Sequence, residues 1–159
     1  MSDSTPSMDI SVELKSLVQA LNDAGVQFAV CGGLCLIIHG FVRATMDIDL
    51  LIPSDQIEKA LEVAKAVGFW IPSGRMPFKP NSPQQMEIWR VSKAKGPDLL
   101  PLDLIIVTPV LEAVWESRIS VEFDGITCPI VSREGLIAMK RLAGRRQDLV
   151  DIERLQSGE

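Results

Sequence analysis

The chain has 159 residues, 47% of them hydrophobic, and a formal net charge of −5. That length suits one domain with a real core, and no apolar run in it is long enough to span a bilayer. The acidic balance speaks against broad electrostatic binding of nucleic acid, and a single histidine, His39, excludes chemistry that needs several.

The opening residues, MSDSTPSMD, lack the basic and apolar regions of a secretory signal. Residues 1–8 are expected to be a disordered tail ahead of a single domain over 9–159. Residues 9–24 carry Ile10, Leu14, Leu17, Val18 and Leu21 at helical spacing, and Gly25 suits a left-handed end to that helix. Residues 26–31 read as a buried strand, broken by Gly32-Gly33. Residues 34–39 read as a short apolar helix closed by Gly40, and 41–46 as a loop into a second buried strand over 47–52.

Ser54 is placed to cap an amphipathic helix over 55–67, which ends at Gly68. The segment 72–85 holds four of the ten prolines and reads as a loop. Residues 86–92 and 102–107 form a plausible hairpin, and Pro109 opens a short helix to about residue 117. Strands at 119–123 and 126–131 flank Asp124-Gly125, a strong hairpin signal. Ser132 caps a helix to about Leu142, and a last helix covers 145–155. The plan is α+β: a mixed sheet with helices packed mainly on one side and a helical C-terminus.

Chemistry concentrates in the second strand. Asp47 and Asp49 lie two positions apart, so on a strand they share a face, about 6–7 Å apart along the backbone. Two ionised carboxylates among Ile48, Leu50, Leu51 and Ile52 need a cation or a neutralising partner. Mg²⁺ is the simplest one, because it takes carboxylate oxygens and leaves positions open for phosphate and water. Asp103 sits in the fourth strand, flanked by apolar residues, and if that strand neighbours the second, three carboxylates converge. Three carboxylates and two divalent ions make the clamp used for in-line phosphoryl displacement. Asp103 could equally pair with an arginine. Gly32-Gly33 would let a backbone approach phosphate closely. Cys31, Cys35 and Cys128 lie in apolar surroundings with no second pair to build a zinc site, and read as reduced thiols of a cytoplasmic protein.

Gly32-Gly33, Gly40, Arg43, Thr45, Asp47-Ile48-Asp49-Leu50 and the later Asp103 resemble the nucleotidyltransferase superfamily that includes DNA polymerase beta. Ser132 to Leu136, Lys140, Gly144-Arg145, Asp148 and Asp151-Ile152 look like the small bacterial subgroup around the AbiEii-type toxins. The resemblance runs from about residue 12 to 155. It implies a nucleotidyltransferase-like sheet, and metal binding and catalysis by Asp47, Asp49 and Asp103. It further implies nucleotide contacts from Gly32, Gly33, Arg43, Lys140 and Arg145, and Mg²⁺ as cofactor, two ions, with Mn²⁺ an alternative. Many catalytic members carry serine after the first glycine, where this chain has Gly33.

The expected activity is transfer of a nucleoside monophosphate from an NTP such as ATP to a hydroxyl. The acceptor is an RNA end, a protein side chain or a small molecule, and an antitoxin protein is the implied partner. The rival is a non-catalytic nucleotide- or partner-binding relative of the same fold. Bland readings stand beside these: Arg43 as a salt-bridge partner of the aspartates, Lys140 on a solvated helix face, and Arg145, Asp148 and Asp151 as surface ion pairs. His39 reads as a packed, hydrogen-bonded residue, and Thr45 as a backbone hydrogen-bonder of its loop.

Overall fold

The computed structural model describes residues 8–78, 81 and 85–158. Residues 1–7 of the expected tail lie outside the described residues, as do 79–80 and 82–84 of the expected loop. Met8 is described, and its N–H donates to the Asp98 carboxylate at 3.1 Å.

The described residues form six α-helices and seven strands in one mixed sheet. The order in the chain is α1 (Ile10–Asp23), β1 (Ala29–Cys31), α2 (Gly32–Ile38), β2 (Ile48–Ile52), α3 (Ile57–Ala66), β3 (Ile71–Phe78), β4 (Met86–Lys95) and β5 (Asp98–Ile106). There follow α4 (Glu112–Glu116), β6 (Ile119–Phe123), β7 (Ile126–Ile130), α5 (Arg133–Ala143) and α6 (Arg146–Ser157). Across the sheet the strands run β3-β4-β5-β2-β1-β7-β6. β2 is parallel to β5 and β1 is parallel to β7, while the other neighbours are antiparallel. This is the α+β mixed sheet expected from the sequence, but its helices cover both faces rather than mainly one, α1 and α3 lying on one side and α5 and α6 on the other.

Local chemistry explains most boundaries. Asp9 caps α1 by accepting from Ser11 N–H at 2.9 Å, and Leu14, Leu17, Val18 and Leu21 form its buried stripe. Ser132 caps α5 by accepting from Gly135 N–H at 3.0 Å. Asp124 and Gly125 have φ of 48° and 79°, the two positive angles that a tight type I′ hairpin turn requires. Ser54 departs from expectation. It opens a 3₁₀ turn (Ser54–Gln56) capped at Pro53, and its side chain does not cap α3.

The proline-rich segment is the larger correction. Residues 71–78 are not a loop but the strand β3, paired with β4 and carrying Pro72 and Pro77. β3 is the outermost strand, so a residue without an N–H is tolerated there. Pro101 misleads in the same way. β5 begins at Asp98, ahead of the expected Leu102, because its pairing with β2 starts only at Leu102 and leaves Pro101 free of a donor obligation on that side.

Alternation along β4 separates the two faces of the sheet. Lys93 reaches Glu13 of α1 at 2.7 Å and the Val67 carbonyl just after α3 at 3.1 Å. Arg90, of opposite parity, reaches Asp103 on the other face. Residues of α5 and α6 border the same hollow as Arg90. No helix among the described residues is long and apolar enough to cross a membrane.

Candidate active site

β2 is fully buried at Ile48, Leu50, Leu51 and Ile52, and this burial pins its register. That register sets Asp49 opposite Cys31 of β1 on one side and opposite Asp103 of β5 on the other. Asp47 stands just ahead of β2 in the chain. One carboxylate oxygen from each of Asp47, Asp49 and Asp103 can be found within 4.8 Å of the others. The hollow they line has a volume of about 340 Å³. A second hollow of about 450 Å³, beside Gln27 and Arg118, has no carboxylate among its described lining residues.

The glycine bend is there for the carboxylate. Gly32 has φ of 67°, and a Cβ built on it would stand 2.2 Å from Asp49 Oδ2. A Cβ on Gly33 would lie 2.9 Å from Thr45 Oγ1, so a side chain at this position would have to displace the threonine. Thr45 itself donates to the Asp47 carbonyl at 3.2 Å, which ties down the loop that delivers Asp47.

Crowding has an electrostatic cost. Burial first, then the charges of Asp47 and Asp103, push the Asp49 carboxyl up from 3.8 to about 8, against the pull of Arg145 and Arg90. Asp103 is held by Arg90 through a two-pronged pair, Nε to Oδ1 at 2.7 Å and Nη2 to Oδ2 at 2.9 Å. The Cys31 thiol, fully buried beside Asp49, is also pushed well up, chiefly by burial. It stays a thiol and contributes no charge.

A second cluster forms the helical wall. Lys140 is 5% exposed, where a solvated helix face was the default expectation. Its ammonium lies 3.0 Å from Asp151 and 3.8 Å from Asp148. Arg43 is not paired with Asp47 or Asp49; its guanidinium meets Asp151 at 2.5 Å and the Ala44 carbonyl at 3.0 Å. Arg145 grips Asp148 at 2.7 Å while its own side chain is 76% exposed. Asp148 and Asp151 are buried, not surface partners, because α6 folds back against α5. Burial tends to raise the Asp151 carboxyl, but hydrogen bonds from Gln147 and Lys140, with the charges of Lys140 and Arg43, hold it below its ordinary value. His39 Nε2 sits 2.9 Å from the Val131 carbonyl, in keeping with a structural role.

The structure thus gathers Gly32, Arg43, Asp47, Asp49, Asp103, Lys140 and Arg145 around one cleft. Such a donor set suits a hard divalent cation and an anionic ligand. The model of the family described as "Nucleotidyl transferase AbiEii toxin, Type IV TA system" matches residues 16–159. The chain belongs to this family. No curated protein matches the chain.

Solved structures show the same fold around the AbiEii-family chain. ANT(2″)-Ia in complex with adenylyl-2″-tobramycin superposes with a TM-score of 0.59 at 14% identity, over 94% of this chain and 90% of that one. A Thermotoga maritima protein described as a nucleotidyltransferase gives 0.59 at 14% identity, over 94% and 93%. The lincosamide antibiotic adenylyltransferase LnuA, lincomycin-bound, gives 0.58 at 16% identity, over 92% and 96%.

Sequence reasoning missed Arg90 and the burial of Asp148 and Asp151. A signal for Arg90 existed. The two-residue turn at Gly96-Pro97 sets the β4–β5 register, and that register puts Arg90 opposite Asp103.

Three outcomes follow from this geometry. Gly32→Ala forces a side chain into the left-handed region and against Asp49, and should destabilise the fold by about 2 kcal/mol in urea unfolding. Lys140→Met leaves Asp148 and Asp151 short of a buried counter-charge and should cost about 3 kcal/mol by the same measurement. The third is pH-dependent. Folded Asp49 keeps its proton to about pH 8, whereas the unfolded carboxyl releases it near 3.8. Between those values the folded state binds more protons, so metal-free stability falls as pH rises. Asp49→Asn cannot ionise; in EDTA its Tm should exceed that of the wild type at pH 8, and the gap should close towards pH 4.

Proposed function

We propose that this chain is a metal-dependent nucleotidyltransferase and the toxin of a toxin–antitoxin pair. It moves a nucleoside monophosphate from an NTP to a hydroxyl acceptor, releases pyrophosphate and works in the cytoplasm. The observation that carries this reading is the carboxylate trio, within 4.8 Å at the floor of a cleft and short of positive charge. A structural cluster would be neutralised in full; this one leaves Asp49 protonated until a cation arrives.

Asp47, Asp49 and Asp103 are the residues that would hold Mg²⁺ or Mn²⁺. When bound, such ions lower the pKa of an attacking hydroxyl and neutralise the charge that develops on the phosphates. The chain's own groups do the remainder. The bend at Gly32 leaves the Asp49 carboxylate open to the cleft. Arg90 fixes Asp103, whose carboxylate can take the proton of the acceptor hydroxyl as its oxygen bonds to the α-phosphorus. The bond from that phosphorus to the bridging oxygen breaks, and pyrophosphate leaves with the electron pair. Arg145, with its side chain exposed, can turn from Asp148 to the triphosphate. Lys140 is buried against Asp151 and acts through its charge on the cleft wall.

Incubation with each α-labelled NTP, Mg²⁺ and cell extract tests the reading. Label should pass to an acceptor, vanish with EDTA and return with Mg²⁺ or Mn²⁺. Asp47→Asn should lower transfer at least about 100-fold while the far-ultraviolet circular dichroism stays unchanged. Tight NTP binding without transfer to anything would favour the non-catalytic relative.

A further inference from the structure

We propose that Met86, Ile88 and Ile105 form the acceptor subsite. It is shaped for a hydroxyl that lies beside an uncharged ring or hydrocarbon face, and it is unsuited to a polyamine. The inference rests on the nucleotidyl-transfer reading and adds the side from which the acceptor enters.

The cleft is polarised across the sheet. In spatial order, Gly32 follows β1, Asp49 is on β2, Asp103 on β5 and Arg90 on β4. The cations Lys140 and Arg145 come from α5 and the start of α6, and α5 packs on α2, at the β1 end. Arg43 joins the same end through Asp151. A polyphosphate therefore finds its counter-charges on the β1 side of the carboxylates. In-line displacement requires the entering oxygen and the leaving oxygen to stand on opposite sides of the phosphorus. With the leaving pyrophosphate towards β1, the acceptor comes from over β5 and β4.

The floor on that side is apolar. Beyond the Arg90–Asp103 pair, the next pair on the same face is Ile88 opposite Ile105, with Met86 two residues further along β4. All three line the cleft, and Ile88 and Ile105 are only half-buried. A catalytic cleft presents such side chains at the cost of their hydration, and contact with an apolar or ring face recovers it. Outside the trio, the one carboxylate among the described lining residues is Asp148, which stands at the Lys140 and Arg145 end of the cleft, away from Ile88 and Ile105. The cationic neighbour on this side is Arg90. A polyamine would lose hydration here and gain no free carboxylate.

Three acceptors distinguish the cases in an assay with α-labelled NTPs and Mg²⁺. They are an oligoribonucleotide with a free 3′ hydroxyl, lincomycin, and the polyamine tobramycin. Label in the oligoribonucleotide or in lincomycin supports the proposal and separates a nucleic-acid acceptor from a small-molecule one. With whichever is labelled, Ile88→Glu should raise the acceptor KM about tenfold and leave the NTP KM within about twofold. Ile88→Ala should act in the same direction more weakly, and urea unfolding should verify that both variants fold. Preferential labelling of tobramycin, or a rise in the NTP KM alone, overturns the proposal and leaves nucleotidyl transfer standing. Failure of the wild-type chain to label any acceptor, in this panel or in cell extract, defeats the transfer reading and this inference with it.

Discussion

Repulsion among three carboxylates governs the architecture of the cleft. At an effective dielectric constant near 20, two unit charges about 5 Å apart repel by about 3 kcal/mol, and three charges make three such pairs. The fold answers this in part. Arg90 neutralises Asp103 by direct pairing, and Arg145 and Arg90 act on Asp49 from a distance. The remaining deficit shows in the high pKa of Asp49. Gly32 stands so close to the most strained of the three that a side chain there would collide with the Asp49 carboxylate.

The second charged cluster has a different character. Lys140, Asp148, Asp151, Arg43 and Arg145 are mutually paired, and their bonds run between α5, α6 and the loop 41–46. That loop is anchored further by Phe41, which is buried beneath the guanidinium groups of Arg133 and Arg154 at 5.3 and 5.7 Å. The same loop delivers Asp47. The C-terminal helices are thus bound to the segment that carries one carboxylate of the trio. Removal of one buried partner would disturb both the wall and the floor of the cleft, because an unpaired buried charge has no inexpensive alternative. The apolar residues on β4 and β5 face the opposite side, so the cleft has one charged end and one apolar end.

The legible parts of the fold were those decided by local chemistry. The stripe of α1, the cap at Ser132 and the Asp124-Gly125 hairpin depend on a few neighbouring residues and could be read directly. The misreadings at β3 and at the start of β5 share one cause. Proline speaks against a strand only where its missing N–H would face a neighbour, and whether a neighbour exists is a property of the sheet. The burial of Lys140, Asp148 and Asp151 is illegible in the sequence for a related reason, since an amphipathic helix does not announce what will fold over its polar face.

Taken alone, the sequence determined that Asp47 and Asp49 stand two positions apart at the head of an apolar strand that follows a glycine bend. It also determined that the chain alternates helices and strands in an α+β order, because side-chain period and turn residues are local properties. Only the tertiary structure decided that β5 lies parallel to β2 with Asp103 level with Asp49. It alone gave Arg43 to Asp151, and left one end of the cleft apolar. Those outcomes depend on which strands become neighbours and on which helix covers which face, and contacts between residues far apart in the chain set both.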